Sequence, residues 1–259
     1  MTMLPAGTFD GRVCVVTGGG SGIGRDAALT LGRLGAVVAV LGRTRESLAE
    51  TVDDIVRTGA TARAYPVDIR TRDRVEEVFE QIRTELGTVR HLVNAAAGNF
   101  RLSPEDLTPG GWDAVTRIVL DGTWHCTQVA ARQMIAAGAG GSIVSLGSAK
   151  AHHGGADTVH SAAAKAGVVA MTKSLAGAWG RYGIRLNLVT PGVTLGTGAV
   201  RRLFAEPGSL ERDLTRTPLG RHTSTTEVSD AITYLLSDFA ASATGTELVI
   251  DGGRSLGIG

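Results

Sequence analysis

The strongest chemical signal in the sequence is a lysine four positions after a serine. Ser161 and Lys165 lie in the stretch Val159–Lys173, which reads VHSAAAKAGVVAMTK and has the apolar spacing of a helix. The small residues beside Lys165 leave room for a ligand to approach closely. Ser161 has two interpretations that stay open. Its hydroxyl can belong to a functional site, or it can cap the helix, because serine is a favourable helix N-cap. Lys165 is equally typical of an exposed helix lysine, so the residues around it must decide.

The composition is that of a globular protein with one large core. The chain has 259 residues, of which 43% are hydrophobic and 20% charged, so we predict a single domain over residues 1–259. A formal net charge of +1 provides no basic surface for nucleic acid. Cys14 and Cys126 lack the spacing of a metal site or a redox pair, so we expect no metal and a reducing compartment. Without a signal peptide or a membrane-length apolar run, a cytoplasmic location is expected.

Short apolar runs alternate with helical patterns along the chain. Strands are predicted at 12–16, 36–41, 62–68, up to residue 94, 142–148, 184–192 and 247–253. Helices are predicted at 25–34, 45–57, 71–86, 112–137, 161–181 and 226–237. Parallel strands joined by right-handed crossovers explain this order. We therefore predict an α/β fold with a doubly wound parallel sheet of about seven strands and helices on both faces.

A glycine-rich turn, TGGGSGIG, follows the first predicted strand and leads into a helix. Gly18, Gly20, Gly22 and Gly24 let the backbone turn tightly and approach a pyrophosphate at the helix N-terminus. The spacing differs from GxGxxG, so it fits the general dinucleotide pattern only loosely. Polar residues also follow other strands, namely Asp68, Asn94 and Ser148. Ligands of open α/β sheets bind beyond these carboxyl ends, and we expect a nucleotide there.

The end of the second strand selects the cofactor. A carboxylate at this position would bind the adenosine ribose and repel a 2′-phosphate. The chain instead has Gly42, Arg43, Thr44 and Arg45, and a guanidinium binds phosphate with two parallel hydrogen bonds. We therefore predict NADPH as the cofactor. The alternative is a solvated loop with ordinary arginines.

These residues, and the order in which they follow one another along the chain, resemble the short-chain dehydrogenase/reductase family over nearly the whole chain. Thr17–Gly24 is similar to the family's TGxxxGIG loop, Asn94–Gly98 to its NAG-type segment, and Lys165 matches the lysine of YxxxK. The resemblance implies a Rossmann-type sheet, a nicotinamide cofactor and a homotetramer, for which the C-terminal segment ELVIDGGRSLGIG would supply a buried contact. The predicted cofactor residues are Gly18, Gly20, Ser21, Gly22, Ile23, Gly24, Arg43, Asp68, Ile69, Asn94, Ala95, Ala96, Lys165, Pro191, Gly192, Val193 and Thr194.

The sequence departs from the family pattern at the tyrosine of YxxxK, which is Ser161 here. Val119 stands where the family commonly carries an asparagine. Stretches such as NAAAGNF and SAAAKAGVVAMTK are most similar to 2,4-dienoyl-CoA reductases and the related trans-2-enoyl-CoA reductases. In that branch a serine replaces the tyrosine, and a polar residue, Asp121 here, precedes a Gly-Thr pair. The separate catalytic tyrosine of some members would fall at Lys150 and is absent.

The missing tyrosine favours reduction of a C=C bond over reduction of a ketone. Ketone reduction needs an acid beside the oxygen, whereas a conjugated thioester spreads the charge onto its oxygen as an enolate. Hydrogen-bond donors at that oxygen are then worth roughly 3–4 kcal/mol each. The predicted catalytic residues are Lys165, which holds the nicotinamide ribose, Ser161 and Ser148, which donate to the oxygen, and Asp121, for proton delivery or for orienting Lys165. The alternative for Asp121 is a solvated helix carboxylate. His152, His153 and His160 are interpreted as surface loop residues.

The segment 195–222 is polar, rich in arginine and poorly periodic, so we predict an irregular substrate lid there. Arg201 and Arg202 are candidate contacts for the phosphates of an acyl-CoA, and Asn99 and Phe100 for the rest of the substrate. The alternative for the arginines is an exposed segment neutralised by neighbouring acids. The sequence thus predicts an NADPH-dependent reductase of 2,4-dienoyl-CoA or 2-enoyl-CoA thioesters. Two alternatives are a carbonyl or alcohol oxidoreductase with an atypical proton donor and a non-catalytic NADP(H)-binding redox sensor.

Overall fold

Seven parallel strands form one sheet in the computed structural model, which describes residues 3–257. The spatial order is β3-β2-β1-β4-β5-β6-β7. Strands β2 and β3 are therefore added on one side of β1, and strands β4 to β7 on its other side. The strands are β1 Val13–Thr17, β2 Val37–Gly42, β3 Ala62–Pro66, β4 Val89–Asn94, β5 Gly141–Leu146, β6 Ile184–Pro191 and β7 Glu247–Ile250. The predicted doubly wound parallel sheet is confirmed.

Helices cover both faces of the sheet. They are α1 Gly22–Arg33, α2 Arg45–Arg57, α3 Arg72–Glu85, α4 Pro109–Thr116, α5 Gly122–Ala136, α6 Lys150–His153, α7 Val159–Trp179, α8 Gly198–Leu203, α9 Ser209–Leu214 and α10 Thr225–Leu236. One core cluster packs α1, α2 and α10 against the sheet, and another packs α3 and α5 against its other face. Side chains of β1 alternate between these clusters, with Val16 in the first and Val15 in the second. Burial on both faces explains why the strands are continuous apolar runs.

Two predicted segments differ from the structure. The helix predicted at 112–137 begins earlier, at Pro109, and contains a π-helical turn, Arg117–Asp121, between α4 and α5. The segment 195–222 is less irregular than predicted, because it contains α8 and α9. Most other element ends agree with the prediction within a few residues, and α2 spans the predicted 45–57.

No helix within residues 3–257 is long and apolar enough to span a membrane. Over the same residues, no group of three or more His, Cys, Asp or Glu side chains is arranged to hold a metal ion. Both cysteines are buried and free. The cytoplasmic location stays a prediction, and residues 258–259 of the C-terminal segment lie outside the described chain.

Candidate active site

A large cleft of about 1500 Å³ lies at the carboxyl edge of the sheet and is called the main cleft below. It is bounded by the glycine-rich turn, the loops after β2 to β6, the start of α7, and α8 with α9. Most of the predicted site residues line it. These are Gly18, Gly20, Ser21, Gly22, Ile23, Gly24, Arg43, Asp68, Ile69, Ala95, Ala96, Asn99, Ser148, Ser161, Lys165, Pro191, Gly192, Val193, Thr194, Arg201 and Arg202. Residues more than 180 positions apart in sequence thus meet at one sheet edge.

The glycine-rich turn is packed too tightly for side chains. Gly18 has a φ of +66°, and a Cβ there would lie 2.8 Å from the Cα of Ala96. A Cβ on Gly24 would lie 2.4 Å from the carbonyl oxygen of Gly18. The Thr17 hydroxyl accepts hydrogen bonds from the N–H groups of Ala95 and Ala96 and ties the turn to the end of β4. The turn therefore presents bare backbone at the N-terminus of α1, which fits the pyrophosphate of a dinucleotide.

The loops after β2 and β3 form a cationic end of the main cleft. The Arg70 guanidinium donates to both carboxylate oxygens of Asp68, at 2.9 Å for Nε to Oδ1 and 2.5 Å for Nη2 to Oδ2. These bonds lower the pKa of Asp68, and the nearby charge of Arg43 adds to the effect. Within residues 3–257, Arg43 has no carboxylate within ion-pair distance, and its side chain is exposed at the cleft. Arg43 is therefore free to bind an anionic ligand.

Lys165 lies on the second turn of α7, where its ammonium reaches back to the sheet. Its Nζ donates to the carbonyl oxygen of Leu146, the last residue of β5, at 2.5 Å. Burial penalises the charged form and lowers the pKa of Lys165 to about 8. The remaining N–H groups of this ammonium can donate into the main cleft, so Lys165 is more than an exposed helix lysine.

Ser161 is not the N-cap of α7, so that interpretation is wrong. The helix begins at Val159 after Thr158, and Ser161 lies inside the first turn with only 8% of its surface exposed. No described residue hydrogen-bonds to the Ser161 hydroxyl, which lines the main cleft with Ser148. None of the chain's three tyrosines lines this cleft. The cleft therefore offers Lys165 and, among its hydroxyls, those of Ser148 and Ser161, but no phenol.

Three predicted site residues lie elsewhere. Asn94 points into the protein, where its Nδ2 donates to Thr127 at 2.9 Å and Ser145 at 3.2 Å, because burial requires an amide to find partners. Asp121 ends the π-helical turn with an exposed side chain outside the cleft lining, so a role in proton delivery or in orienting Lys165 has no support. Phe100 packs in the cluster beneath the cleft and does not line it.

The three histidines near the site have different surroundings. His160 is fully buried and stacks on Phe100 with ring centroids 4.4 Å apart, so its interpretation as a surface residue is wrong. Burial lowers the pKa of His160, which therefore stays neutral near pH 7. His152 Nε2 lies 2.8 Å from Glu247 Oε2, and His153 is exposed at the cleft. In the sequence, the signal for the burial of His160 was that position 160 lies on the apolar side of the helical pattern of α7.

Lys150 was not among the predicted site residues, although its side chain lines the main cleft. Its Nζ donates to the Thr158 hydroxyl at 2.7 Å and lies 3.7 Å from Asp157 Oδ1. Burial lowers the pKa of Lys150, and Asp157 partly opposes this effect. The signal in the sequence was its position two residues after Ser148, close behind the end of β5.

Arginines dominate the side of the cleft formed by α8 and α9. Arg254 donates to Asp213 Oδ1 at 2.9 Å, and Arg212 lies 3.8 Å from Glu206. Arg221 lies outside the lining and pairs with Glu227 instead. No carboxylate in the described chain pairs with the remaining arginines on this side, which are Arg201, Arg202 and Arg216. The cleft is therefore electropositive at both ends, which suits ligands that carry phosphates.

Comparisons with known proteins agree with this geometry. Residues 18–255 match the family model described as enoyl-(acyl carrier protein) reductase. A Bacillus subtilis protein named "Probable 2,4-dienoyl-CoA reductase [(2E)-enoyl-CoA-producing]" is 38% identical over 246 residues, which cover 95% of this chain and 97% of that protein.

Solved structures share the whole architecture. A short chain dehydrogenase from Bacillus anthracis is 38% identical with a TM-score of 0.86, covering 94% of this chain and 96% of that one. A putative NAD(P)-dependent gluconate 5-dehydrogenase from Beutenbergia cavernae with bound NADP is 32% identical with a TM-score of 0.90, covering 96% and 99%. The sheet order, the glycine-rich turn and the lysine of α7 agree with these similarities: the chain belongs to the short-chain dehydrogenase/reductase family of oxidoreductases.

Proposed function

We propose that this protein is an NADPH-dependent reductase of conjugated acyl-CoA thioesters, either 2,4-dienoyl-CoA or 2-enoyl-CoA. The observation that carries the proposal is the main cleft with Lys165, Ser148 and Ser161 but no tyrosine. A serine hydroxyl is too weak an acid to protonate the oxygen of a reduced ketone. It is a sufficient donor to an enolate oxygen, whose final proton goes to carbon. The name of the Bacillus subtilis relative supports the same substrate class.

NADPH fits the residues of the cleft. The tight glycine turn leaves bare N–H groups for the pyrophosphate, and Arg43 lies unpaired where a 2′-phosphate would need a cation. When bound, the reduced nicotinamide supplies a hydride. Lys165 donates to the ribose hydroxyls beside that ring and adds positive potential. The loop Pro191–Thr194 also lines the cleft and would contact the nicotinamide.

Ser148 and Ser161 orient the thioester. Both hydroxyls line the cleft, and their elements are linked because Lys165 of α7 bonds to the end of β5. A thioester oxygen between the two hydroxyls receives hydrogen bonds that strengthen as charge develops on it. Deleting one such donor typically costs about 10²–10³-fold in kcat. The two serines therefore bind the substrate and stabilise the enolate.

The segment 195–222 acts as a lid over the acyl-CoA. Its helices α8 and α9 line the main cleft and leave Arg201 and Arg202 exposed beside it. Guanidinium groups match the geometry of phosphate, and coenzyme A carries three phosphates. These two arginines bind the coenzyme end of the substrate, while Asn99 contacts its acyl part.

We also propose that the protein assembles as a homotetramer. The last strand, β7, lies at one edge of the sheet and exposes 44% of Val249. Exposed apolar side chains at a strand edge are typically covered in an assembly. Burial of this edge between subunits would remove it from solvent.

A substrate panel tests the proposed activity. NADPH oxidation is followed by absorbance with 2,4-hexadienoyl-CoA, crotonyl-CoA and several ketones and alcohols. Turnover with a conjugated thioester and none with ketones is expected. Turnover confined to ketones would favour the carbonyl reductase instead, and tight NADPH binding without any turnover would favour the redox sensor.

A further inference from the structure

The chain uses lysine sparingly, and two of its lysines lie in the main cleft. Of the 26 basic residues, only Lys150, Lys165 and Lys173 are lysines. Arginine provides the positive charge everywhere else, but its guanidinium does not give up a proton in proteins. Lys150 and Lys165 are thus the basic residues of the cleft that can both carry charge and transfer a proton, apart from the exposed His153. Lys165 already has a role in holding the ribose, and Lys150 has none.

The Lys150 ammonium has free hydrogen-bonding capacity inside the cleft. Its side chain is 37% exposed, and one of its three N–H groups donates to the Thr158 hydroxyl. Asp157 Oδ1, at 3.7 Å, is an ion-pair neighbour beyond hydrogen-bond distance. At least one N–H group therefore remains for a ligand.

The contacts of Lys150 place it near the two serines. Its backbone N–H donates to the Ser148 hydroxyl at 3.3 Å, and its Nζ bonds to Thr158 at the N-cap of α7. Ser161 is three residues further on, within roughly 5 Å along the helix axis at 1.5 Å per residue. The ammonium thus lies at the first turn of α7, the turn that carries Ser161.

Burial and the charges around Lys150 make it a stronger acid than an ordinary lysine. Burial lowers its pKa, and the positive charges of Arg101 and Arg254 act in the same direction. Asp157 opposes them, but its other oxygen accepts a hydrogen bond from Arg101 at 3.0 Å, which weakens its hold on the lysine. A general acid works best when its pKa lies near the working pH.

We propose that Lys150 is the proton donor of the reaction, delivering the proton that ends the reduction to a carbon of the substrate. This inference rests on the proposed function. Hydride addition to the conjugated C=C bond moves an electron pair onto the thioester oxygen as an enolate. That electron pair returns to form a C–H bond with a proton from Lys150 Nζ, and the thioester C=O bond forms again. The resulting neutral amine regains a proton from solvent at its exposed end.

Two substitutions separate proton donation from positive charge. Lys150→Met removes both, and Lys150→Arg keeps the charge without a transferable proton. We expect both variants to lose about 10²–10⁴-fold in kcat with 2,4-hexadienoyl-CoA, the usual contribution of general acid catalysis. The affinity for NADPH, measured by fluorescence, should change less than threefold and shows that the variants fold. Lys173→Met, at an exposed position of α7 outside the cleft lining, is the matched control and should keep normal kcat.

A titration independent of turnover accompanies the kinetics. Protein labelled with ¹³C-lysine gives three side-chain signals, which the three variants assign. We expect the Lys150 signal to titrate at lower pH than an ordinary lysine side chain, because burial lowers its pKa. An active Lys150→Arg variant would overturn proton donation in favour of a purely electrostatic role, and an active Lys150→Met variant would overturn any role. A wild-type protein that reduces no conjugated thioester would instead overturn the proposed function itself.

Discussion

Burial lowers the pKa of Lys165, the lysine that we propose holds the cofactor ribose. The pKa of Lys165 falls from 10.5 to about 8 because the charged form loses solvation. The ammonium is present below that pH and becomes a neutral amine above it. Since Leu146 accepts one of its hydrogen bonds, the others are available to the ribose hydroxyls.

We therefore expect NADPH affinity to weaken as the pH rises through about 8. Fluorescence titrations of NADPH without substrate, between pH 6.5 and 9.5, measure this effect. Lys165→Met should bind NADPH weakly at every pH and lose turnover. Lys173→Met should keep the wild-type dependence. An affinity that stays constant across this range in the wild-type protein would contradict the role of Lys165.

Arg43 is expected to determine the choice between NADPH and NADH. Arg43→Ala removes a charge-assisted contact to the 2′-phosphate, which is worth about 1.5–3 kcal/mol and corresponds to roughly 10–150-fold in Kd. NADH, which lacks that phosphate, should bind the variant and the wild type equally well. Arg45→Ala, at an exposed position outside the cleft lining, serves as the control. A wild-type preference for NADH would refute the assignment.

At the scale of elements, α10 has the best-defined start in the fold. Its N-cap Ser224 accepts a hydrogen bond from the N–H of Glu227, and the Glu227 carboxylate accepts one from the Ser224 N–H. Arg221 donates to both oxygens of the same carboxylate. These bonds lower the pKa of Glu227 from 4.5 to about 2. The carboxylate thereby anchors a helix whose apolar face packs on α1 and the sheet.

Ser224→Ala should lower the free energy of unfolding by about 1 kcal/mol, the usual value of an N-cap. For Glu227→Gln the loss should be largest above the ordinary carboxyl pKa of 4.5 and shrink as the pH falls towards about 2, because protonation removes the same charge from the wild type. Urea denaturation between pH 7 and 3.5 measures both changes. Equal losses for Glu227→Gln at both ends of this range would contradict the electrostatic explanation.

At the scale of the whole molecule, the exposed edge of the sheet is where assembly is expected. Val249→Glu places a charge on β7, where 44% of the wild-type side chain is exposed. In the proposed homotetramer this charge would be buried, so the variant should sediment as smaller species. Val56→Glu, at a 51% exposed position on α2, is a matched control that should leave the mass unchanged. Analytical ultracentrifugation checks both, and a monomeric wild type would refute the tetramer.

The sequence by itself determined the fold and which residues meet at the carboxyl edge of the sheet. Alternating strands and helices require parallel pairing, and parallel strands bring their carboxyl ends to one edge, so Gly18, Asp68, Ser148 and Pro191 had to meet there. The glycine-rich turn and Lys165 were recognisable because their chemistry depends on local spacing. The absence of tyrosine before Lys165 was equally visible and narrows the chemistry that the cleft supports.

Only the tertiary structure decided where individual side chains point. Asn94 turns into the protein because two buried hydroxyls accept hydrogen bonds from its amide nitrogen, which no local pattern shows. The π-helical turn changes the angular phase of the helix, so a regular period could not place Asp121, which is exposed. Lys150 faces the cleft because Thr158 and Asp157, from the loop before α7, hold its ammonium there. Spacing along a chain determines which residues reach an edge, whereas packing between elements determines which of them face a ligand.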